Sequence, residues 1–227
     1  MKVEDMINHY NRAGLSQDPY TIVRHEWSKD DFQNREDETV LNIFDFNFSG
    51  EETFLDLGCG LGYTANLVKD KVEKYIGVDA AFALLERAEQ DHRNDSNVNF
   101  VLNNGVSIPY PNESFDIIVS EQVLQHVLEC GTEGVSTCFG YLSDIKRCLK
   151  PNGKLCIQIP KKSAYRHGLS KDSLKSEFDE SEINEYDNWY WTITRNITRN
   201  ENVHWLNTGA FKERDKTIFG DKYVEYN

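Results

Sequence analysis

Residues 52–62 read Glu-Thr-Phe-Leu-Asp-Leu-Gly-Cys-Gly-Leu-Gly. Thr53 to Leu57 is a short, mostly apolar run of the kind that forms a buried strand. Gly58, Gly60 and Gly62 follow at alternate positions, and Tyr63 to Val68 then reads as the start of a helix. Strand, glycine turn and helix in that order make a nucleotide-binding crevice. Glycine carries no side chain and accepts positive φ, so backbone N–H groups and a helix N-terminus can press against a ligand.

Working downstream, Lys74 to Val78 is a second buried strand ending in Asp79, and Ala81 to Ala88 is helical. Val98 to Leu102 is a third strand, and Phe115 to Ser120 a fourth. A helix is expected from near Glu121. A loop around Gly131–Gly134 then leads to a helix from about Phe139 to Leu149, stopped by Pro151. Lys154 to Ile159 is a fifth strand. Strands alternating with helices predict an α/β fold with a parallel sheet, and continuous apolar strands fit burial on both faces. Beyond Pro160 the pattern dissolves into a charged stretch and an aromatic cluster of Tyr186, Trp189, Tyr190, Trp191 and Trp205, with a closing edge strand expected at 222–226.

Upstream, residues 1–50 read as a helical cover. Val3, Met6, Ile7 and Tyr10 have helical spacing, Gly14 is a stop, and further helices are expected after Asp18-Pro19 and Ser28. Residues 51–227 then form the main domain.

The 227 residues carry a formal charge of −13, which disfavours a phosphate-backbone or anionic-lipid partner. No stretch has the length of a membrane span, and the first residues lack the apolar core of a signal peptide. Cys59, Cys130, Cys138, Cys148 and Cys156 are widely spaced and odd in number, as expected of buried, reduced thiols in a cytoplasmic protein. No clustered His, Cys and carboxylate set predicts a metal site.

Asp79 lies 79 − 58 = 21 positions after the first turn glycine, at the tip of the second strand, where an acid accepts hydrogen bonds from ribose hydroxyls. That much is shared by two classes, because Gly60-Leu61-Gly62-Tyr63-Thr64-Ala65 also satisfies a relaxed dinucleotide pattern. The acid inside the strand breaks the tie: Asp56 suits a ligand with an ammonium group and does not help a pyrophosphate.

Phe54 to Gly62 resembles the first motif of class I S-adenosylmethionine-dependent methyltransferases, and Tyr75-Ile76-Gly77-Val78-Asp79 the second. Asn104 to Tyr110 with Ser114 to Ser120 resembles their third-strand loop and fourth strand. Leu149-Lys150-Pro151-Asn152-Gly153-Lys154 resembles the turn before the fifth. The resemblance implies a Rossmann-like, seven-stranded, mostly parallel sheet with helices on both faces, and S-adenosyl-L-methionine as cofactor. It implies that Gly58, Gly60 and Gly62 line the aminocarboxypropyl arm, with Asp56 near its ammonium and Asp79 on the ribose. Asn104, where the family usually has Asp, would face the adenine amino group, with the Gly105 and Val106 backbone beside the ring. Ser120 and Glu121 would stand at the methyl-donor end.

Ser120-Glu121-Gln122-Val123 is not the Asn/Asp-Pro-Pro-aromatic sequence of enzymes that methylate DNA amines. That leaves small molecules, saccharides and proteins as acceptors. Gln125-His126 after such a strand, with Asp18-Pro19 upstream, resembles methyltransferases found beside saccharide-assembly genes, which implies O-methylation of a sugar or related small polar metabolite. His126 is the candidate general base, with a structural histidine bonded to a carbonyl as the alternative. Gln125 and Glu121 are weaker candidates, able to bind a substrate hydroxyl or ammonium. Two other readings stay open: a non-catalytic S-adenosylmethionine-binding protein and a nicotinamide-dependent oxidoreductase.

Overall fold

The computed structural model describes residues 2–17, 41, 44–160, 164, 167–175, 178, 183–185, 190–196 and 198–199. In chain order the elements are α1 (Val3–Leu15), β1 (Phe44–Asp45), β2 (Thr53–Leu57), α2 (Tyr63–Val68), β3 (Lys74–Asp79), α3 (Phe82–Asp91), β4 (Val98–Leu102) and β5 (Phe115–Glu121). There follow α4 (Leu124–Leu128), α5 (Gly131–Cys148), β6 (Leu149–Pro160), α6 (Lys171–Lys175), β7 (Ile183–Glu185), β8 (Tyr190–Arg195) and β9 (Thr198–Arg199).

Seven strands form one sheet in the order β4-β3-β2-β5-β6-β8-β7. The first five are parallel, and β8 and β7 close one edge antiparallel. The chain leaves β2 toward β3 and β4 on one side and returns through β5 to β6 on the other. The C-terminal ends of β2 and β5 therefore flank a topological switch point, where open α/β sheets hold their ligands.

Alternation along the strands divides the core. Leu55, Leu57, Ile76, Val78 and Ile118 pack under α4 and α5, whereas Phe54, Tyr75, Ile117 and Val119 pack under α2 with Phe46. Asp56 belongs by alternation to the second face and is buried at 4% exposure among these apolar side chains. Asp116, at the opposite end of β5, accepts from the Thr53 amide at 2.9 Å and Lys150 Nζ at 2.8 Å, which ties strand ends together away from the crevice.

Two expectations are corrected. α5 begins at Gly131, eight residues before the expected Phe139, so Gly134 lies inside a helix rather than in a loop. A Cβ on Gly134 would meet the Val127 and Leu128 carbonyl oxygens at 2.5 and 2.6 Å. The glycine is selected by close helix packing against α4, which overrides its low helix propensity. The helix after β5 starts at Leu124, three residues later than expected. Separately, β6 runs back through the Lys150–Gly153 turn to Leu149, with a register shift against β5 between Phe115 and Ile117.

α1 is docked, not detached. A Cβ on Gly14 would lie 2.6 Å from the Ala83 carbonyl carbon, so α1 meets α3 backbone to backbone. Asn11 Oδ1 accepts the Ala83 amide at 3.1 Å, and the Arg87 guanidinium donates to the Gly14 and Ser16 carbonyls, both at 2.5 Å. These last bonds satisfy carbonyls orphaned at the C-terminal end of α1. The helices expected after Asp18 and Ser28, the side chains of the aromatic cluster and the strand at 222–226 lie outside the described residues.

Candidate functional site

The turn after β2 is hooked onto β3. Gly58 and Cys59 amides both donate to the Val78 carbonyl, at 2.7 and 3.2 Å, and the Gly60 amide donates to Asp79 Oδ2 at 2.9 Å. Its three glycines do different work. A Cβ on Gly58 would fall 2.2 Å from Val123 Cγ2, and one on Gly62 would fall 2.8 Å from Phe100 Cζ. Gly60, at φ 53°, faces open space. Gly58 and Gly62 are needed by packing, and Gly60 leaves room for a ligand against the backbone. Gly77, read as a packing position, is one: its Cβ would meet Phe100 at 2.7 Å and Cys59 Sγ at 2.8 Å.

Asp79, half-buried at the tip of β3, accepts from Gly60 N through Oδ2 and from Ala81 N through Oδ1 at 2.8 Å. Burial raises its carboxyl above the ordinary range, and those amides oppose the shift. Asp56 Oδ2 accepts the Tyr75 hydroxyl at 2.7 Å. Burial, aided by the charges of Glu121 and Asp79, lifts Asp56 to about 6, against hydrogen bonds from Tyr75 and Thr64. Three carboxyls thus share one sheet edge, an arrangement that favours a cationic ligand.

The adenine-side residues divide. Asn104 is exposed, and its Oδ1 accepts from Val106 N, Ser107 N and Ser107 Oγ at 3.0–3.1 Å, bracing the loop. Gly105 is buried, with room for a Cβ closed by Ile7 and Val3 of α1 at 3.1–3.2 Å. Val106 is exposed at 40%. Ser120 is fully buried and its hydroxyl donates to the Leu57 carbonyl at 3.2 Å, across the β5–β2 seam.

At the other end, α4 carries His126. The Tyr10 hydroxyl of α1 lies 3.1 Å from His126 Nδ1 and 3.0 Å from Nε2, with the rings edge to face at 72°. Tyr10 also packs against Leu61, Tyr63, Ala81 and Leu84, the cluster over the glycine turn. Val123, just before α4, occupies the space above Gly58. Sequence reading named His126 but missed Tyr10, which lies 116 positions away and had shown only its helical spacing. It also missed Gln122 and Gln158, which join Gln125, read from the sequence as able to bind a substrate hydroxyl or ammonium, in a row of amides from α4 to β6. Among the described residues, no group of three or more His, Cys, Asp or Glu is placed to hold a metal ion, and no helix is long and apolar enough to cross a membrane. All five cysteines are free and buried.

A parallel sheet with its glycine turn, acid-tipped second strand and acidic edge at the switch point defines a Rossmann-like domain for a cationic nucleoside ligand. Residues 55–157 match the family described as "Methyltransferase domain", and the fold around that stretch is the one that class I S-adenosylmethionine-dependent methyltransferases share. The cofactor of this class is S-adenosyl-L-methionine. The chain is 26% identical over 171 residues to the "Probable S-adenosylmethionine-dependent methyltransferase" of Mycolicibacterium smegmatis, covering 75% of this chain and 56% of that one. It is 32% identical over 109 residues to the demethylmenaquinone methyltransferase of Tropheryma whipplei, covering 48% and 41%. The chain thus spans about half the length of these relatives. Its fold is similar to that of Haemonchus contortus phosphoethanolamine N-methyltransferase 1 (TM-score 0.58, 12% identity, 69% of this chain and 32% of that one). It is similar also to a methyltransferase from Aquifex aeolicus (TM-score 0.51, 18% identity, 74% and 98%).

Proposed function

We propose that this chain moves a methyl group from S-adenosylmethionine to a small polar acceptor, with a saccharide hydroxyl as the favoured target. The observation that carries this reading is the Tyr10–His126 contact beside the glycine turn, which sets a titratable ring at the end of the crevice where a methyl donor would point.

S-adenosylmethionine, when bound, supplies a methyl group on a positively charged sulfur. The chain's own residues do the rest. Gly60 gives open backbone for the aminocarboxypropyl arm, and ionised Asp56 adds a negative charge behind it. Asp79 keeps acceptor capacity for the ribose beyond its bonds to backbone amides. The Gly105 and Val106 backbone flanks the base. Asn104 supports that loop through its oxygen, so its contact to the adenine is secondary to that role.

A neutral alcohol is a poor nucleophile, so its proton must leave as the methyl arrives. His126 would take the proton of the acceptor hydroxyl as its oxygen receives the methyl group, for which the sulfonium would be the donor, its sulfur keeping the C–S electron pair. The Tyr10 hydroxyl, within hydrogen-bond distance of both ring nitrogens, orients the imidazole. Glu121 contributes charge at the end of β5 and is the weaker candidate for base. α1 reaches over the turn and excludes water from this end.

The test is calorimetry followed by label transfer. S-adenosylmethionine and S-adenosylhomocysteine should bind, and a nicotinamide dinucleotide should not. Radiolabelled methyl should pass to a member of a sugar and metabolite panel. Binding of the dinucleotide alone would end this reading, and tight cofactor binding without transfer to any acceptor would favour a sensor.

A further inference from the structure

Gln125 sits next to His126 in α4, 7% exposed. Its Nε2 donates to Gln122 Oε1 at 3.1 Å and lies 3.4 Å from His126 Nε2. Gln122 Nε2 donates in turn to Gln158 Oε1 at 2.6 Å, and Gln158, on β6, is 2% exposed. Three amides therefore run donor to acceptor in one direction, from α4 to β6.

The orientation of each amide constrains that of its neighbour. Turning the Gln125 amide over would set its oxygen against Gln122 Oε1, acceptor against acceptor. Gln122 itself takes a φ of 59°, a left-handed value uncommon for a residue with a side chain. The backbone is bent where the relay needs its middle member. With Nε2 committed, Gln125 Oε1 remains buried and has no hydrogen-bond partner among the described residues. Buried amide oxygens are almost always satisfied, and one left open beside a candidate base points to a donor supplied from outside the chain.

We infer that Gln125 Oε1 is the specificity contact for the methyl acceptor, receiving a hydrogen bond from a hydroxyl or amino N–H on the molecule that His126 deprotonates. This rests on the methyltransferase reading above. An amide oxygen accepts and never donates, so it rewards an O–H or N–H and repels an anionic oxygen. The carboxyls of Asp56, Asp79 and Glu121 at the same sheet edge act in the same sense. The acceptor class is thus neutral or cationic and carries a donor next to its nucleophile. The relay through Gln122 to Gln158 holds the amide in this orientation.

The experiment uses 15N-labelled full-length protein saturated with S-adenosylhomocysteine. The Gln125 side-chain amide signal, assigned by its loss in Gln125→Leu, is followed during titration with methyl β-D-glucopyranoside, ethanolamine or inorganic phosphate. The glucoside or ethanolamine should shift that signal saturably, and phosphate should not. Gln125→Leu should weaken that probe by about tenfold, the loss of one hydrogen bond, and leave S-adenosylhomocysteine affinity within about twofold. Gln125→Glu, which keeps an oxygen there, should restore ethanolamine binding. The inference is overturned if neither donor probe moves the signal, if phosphate does, if Gln125→Leu binds the probe as wild type, or if S-adenosylhomocysteine alone bonds the amide oxygen. Failure of S-adenosylhomocysteine to bind at all would show separately that the methyltransferase reading is wrong.

Discussion

The Gly60 amide donates to Asp79 Oδ2 at 2.9 Å, joining the glycine turn to the tip of β3. The residue proposed to hold the ribose therefore also holds the backbone proposed to receive the rest of the cofactor. Asp79→Ala should lose a charge-assisted contact and loosen the turn, weakening S-adenosylhomocysteine by roughly 1.5–3 kcal/mol. Calorimetry at neutral pH measures this. An unchanged affinity would mean that Asp79 serves the turn alone.

Asp56 predicts a dependence of stability on pH. Its carboxyl is raised to about 6 from an ordinary 3.8, with burial as the main cause. The native state therefore keeps a proton that the unfolded chain releases as pH rises between those values. Stability from this group is present below the unfolded pKa, falls through the window and stays low above about pH 6. The loss is on the order of 3 kcal/mol for a shift of about two units. Asp56→Asn should flatten that part of the profile and gain stability at pH 7.5 relative to wild type. Denaturant unfolding at pH 4 and pH 7.5 checks it; equal slopes in both proteins would place the charge elsewhere.

The Tyr10–His126 contact predicts two graded losses. His126→Ala should lower methyl transfer by about 10²–10⁴ while cofactor affinity holds, as expected when a general base is removed. Tyr10→Phe keeps the ring packing and the base, so its loss should be smaller and should displace the pH profile of kcat. Full turnover in His126→Ala would move the role of base to Glu121.

Gly14 tests whether α1 is a cover or a fixed wall. An added Cβ would meet the Ala83 and Leu84 backbone at 2.6–2.8 Å, so Gly14→Ala must push the helices apart, at about 1–3 kcal/mol. In wild type, α1 amides should exchange more slowly once S-adenosylhomocysteine binds, because the helix closes the acceptor end. Equal protection with and without ligand would make α1 scaffold only.

Much of this molecule can be read from local pattern. β2, β3 and the glycine turn stand where apolar runs and punctuation put them, because parallel strands buried on both faces have continuous hydrophobic sequences. The start of α5 cannot be read that way, since Gly134 serves a neighbour distant from any local rule. β7 and β8 were illegible for another reason: β7 is a three-residue edge strand in a charged stretch, and β8 pairs antiparallel between β6 and β7, outside the alternation of strands and helices that marks the rest of the sheet. In the site, Asp56, Asp79 and Gly60 were legible through a short motif whose members lie close in sequence. Tyr10 with His126 and Gln122 with Gln158 are assembled by packing across 116 and 36 positions, and no spacing rule spans them.

A crevice that receives S-adenosylmethionine with its methyl toward α4 is the centre of the proposed mechanism. A crystal structure with S-adenosylhomocysteine tests it most directly. The ribose should lie against Asp79, the amino acid arm along Gly60, and the sulfur should face His126 with the vacated methyl position between them. A bound product whose sulfur points away from His126, or that sits outside the β2–β5 switch point, would contradict it.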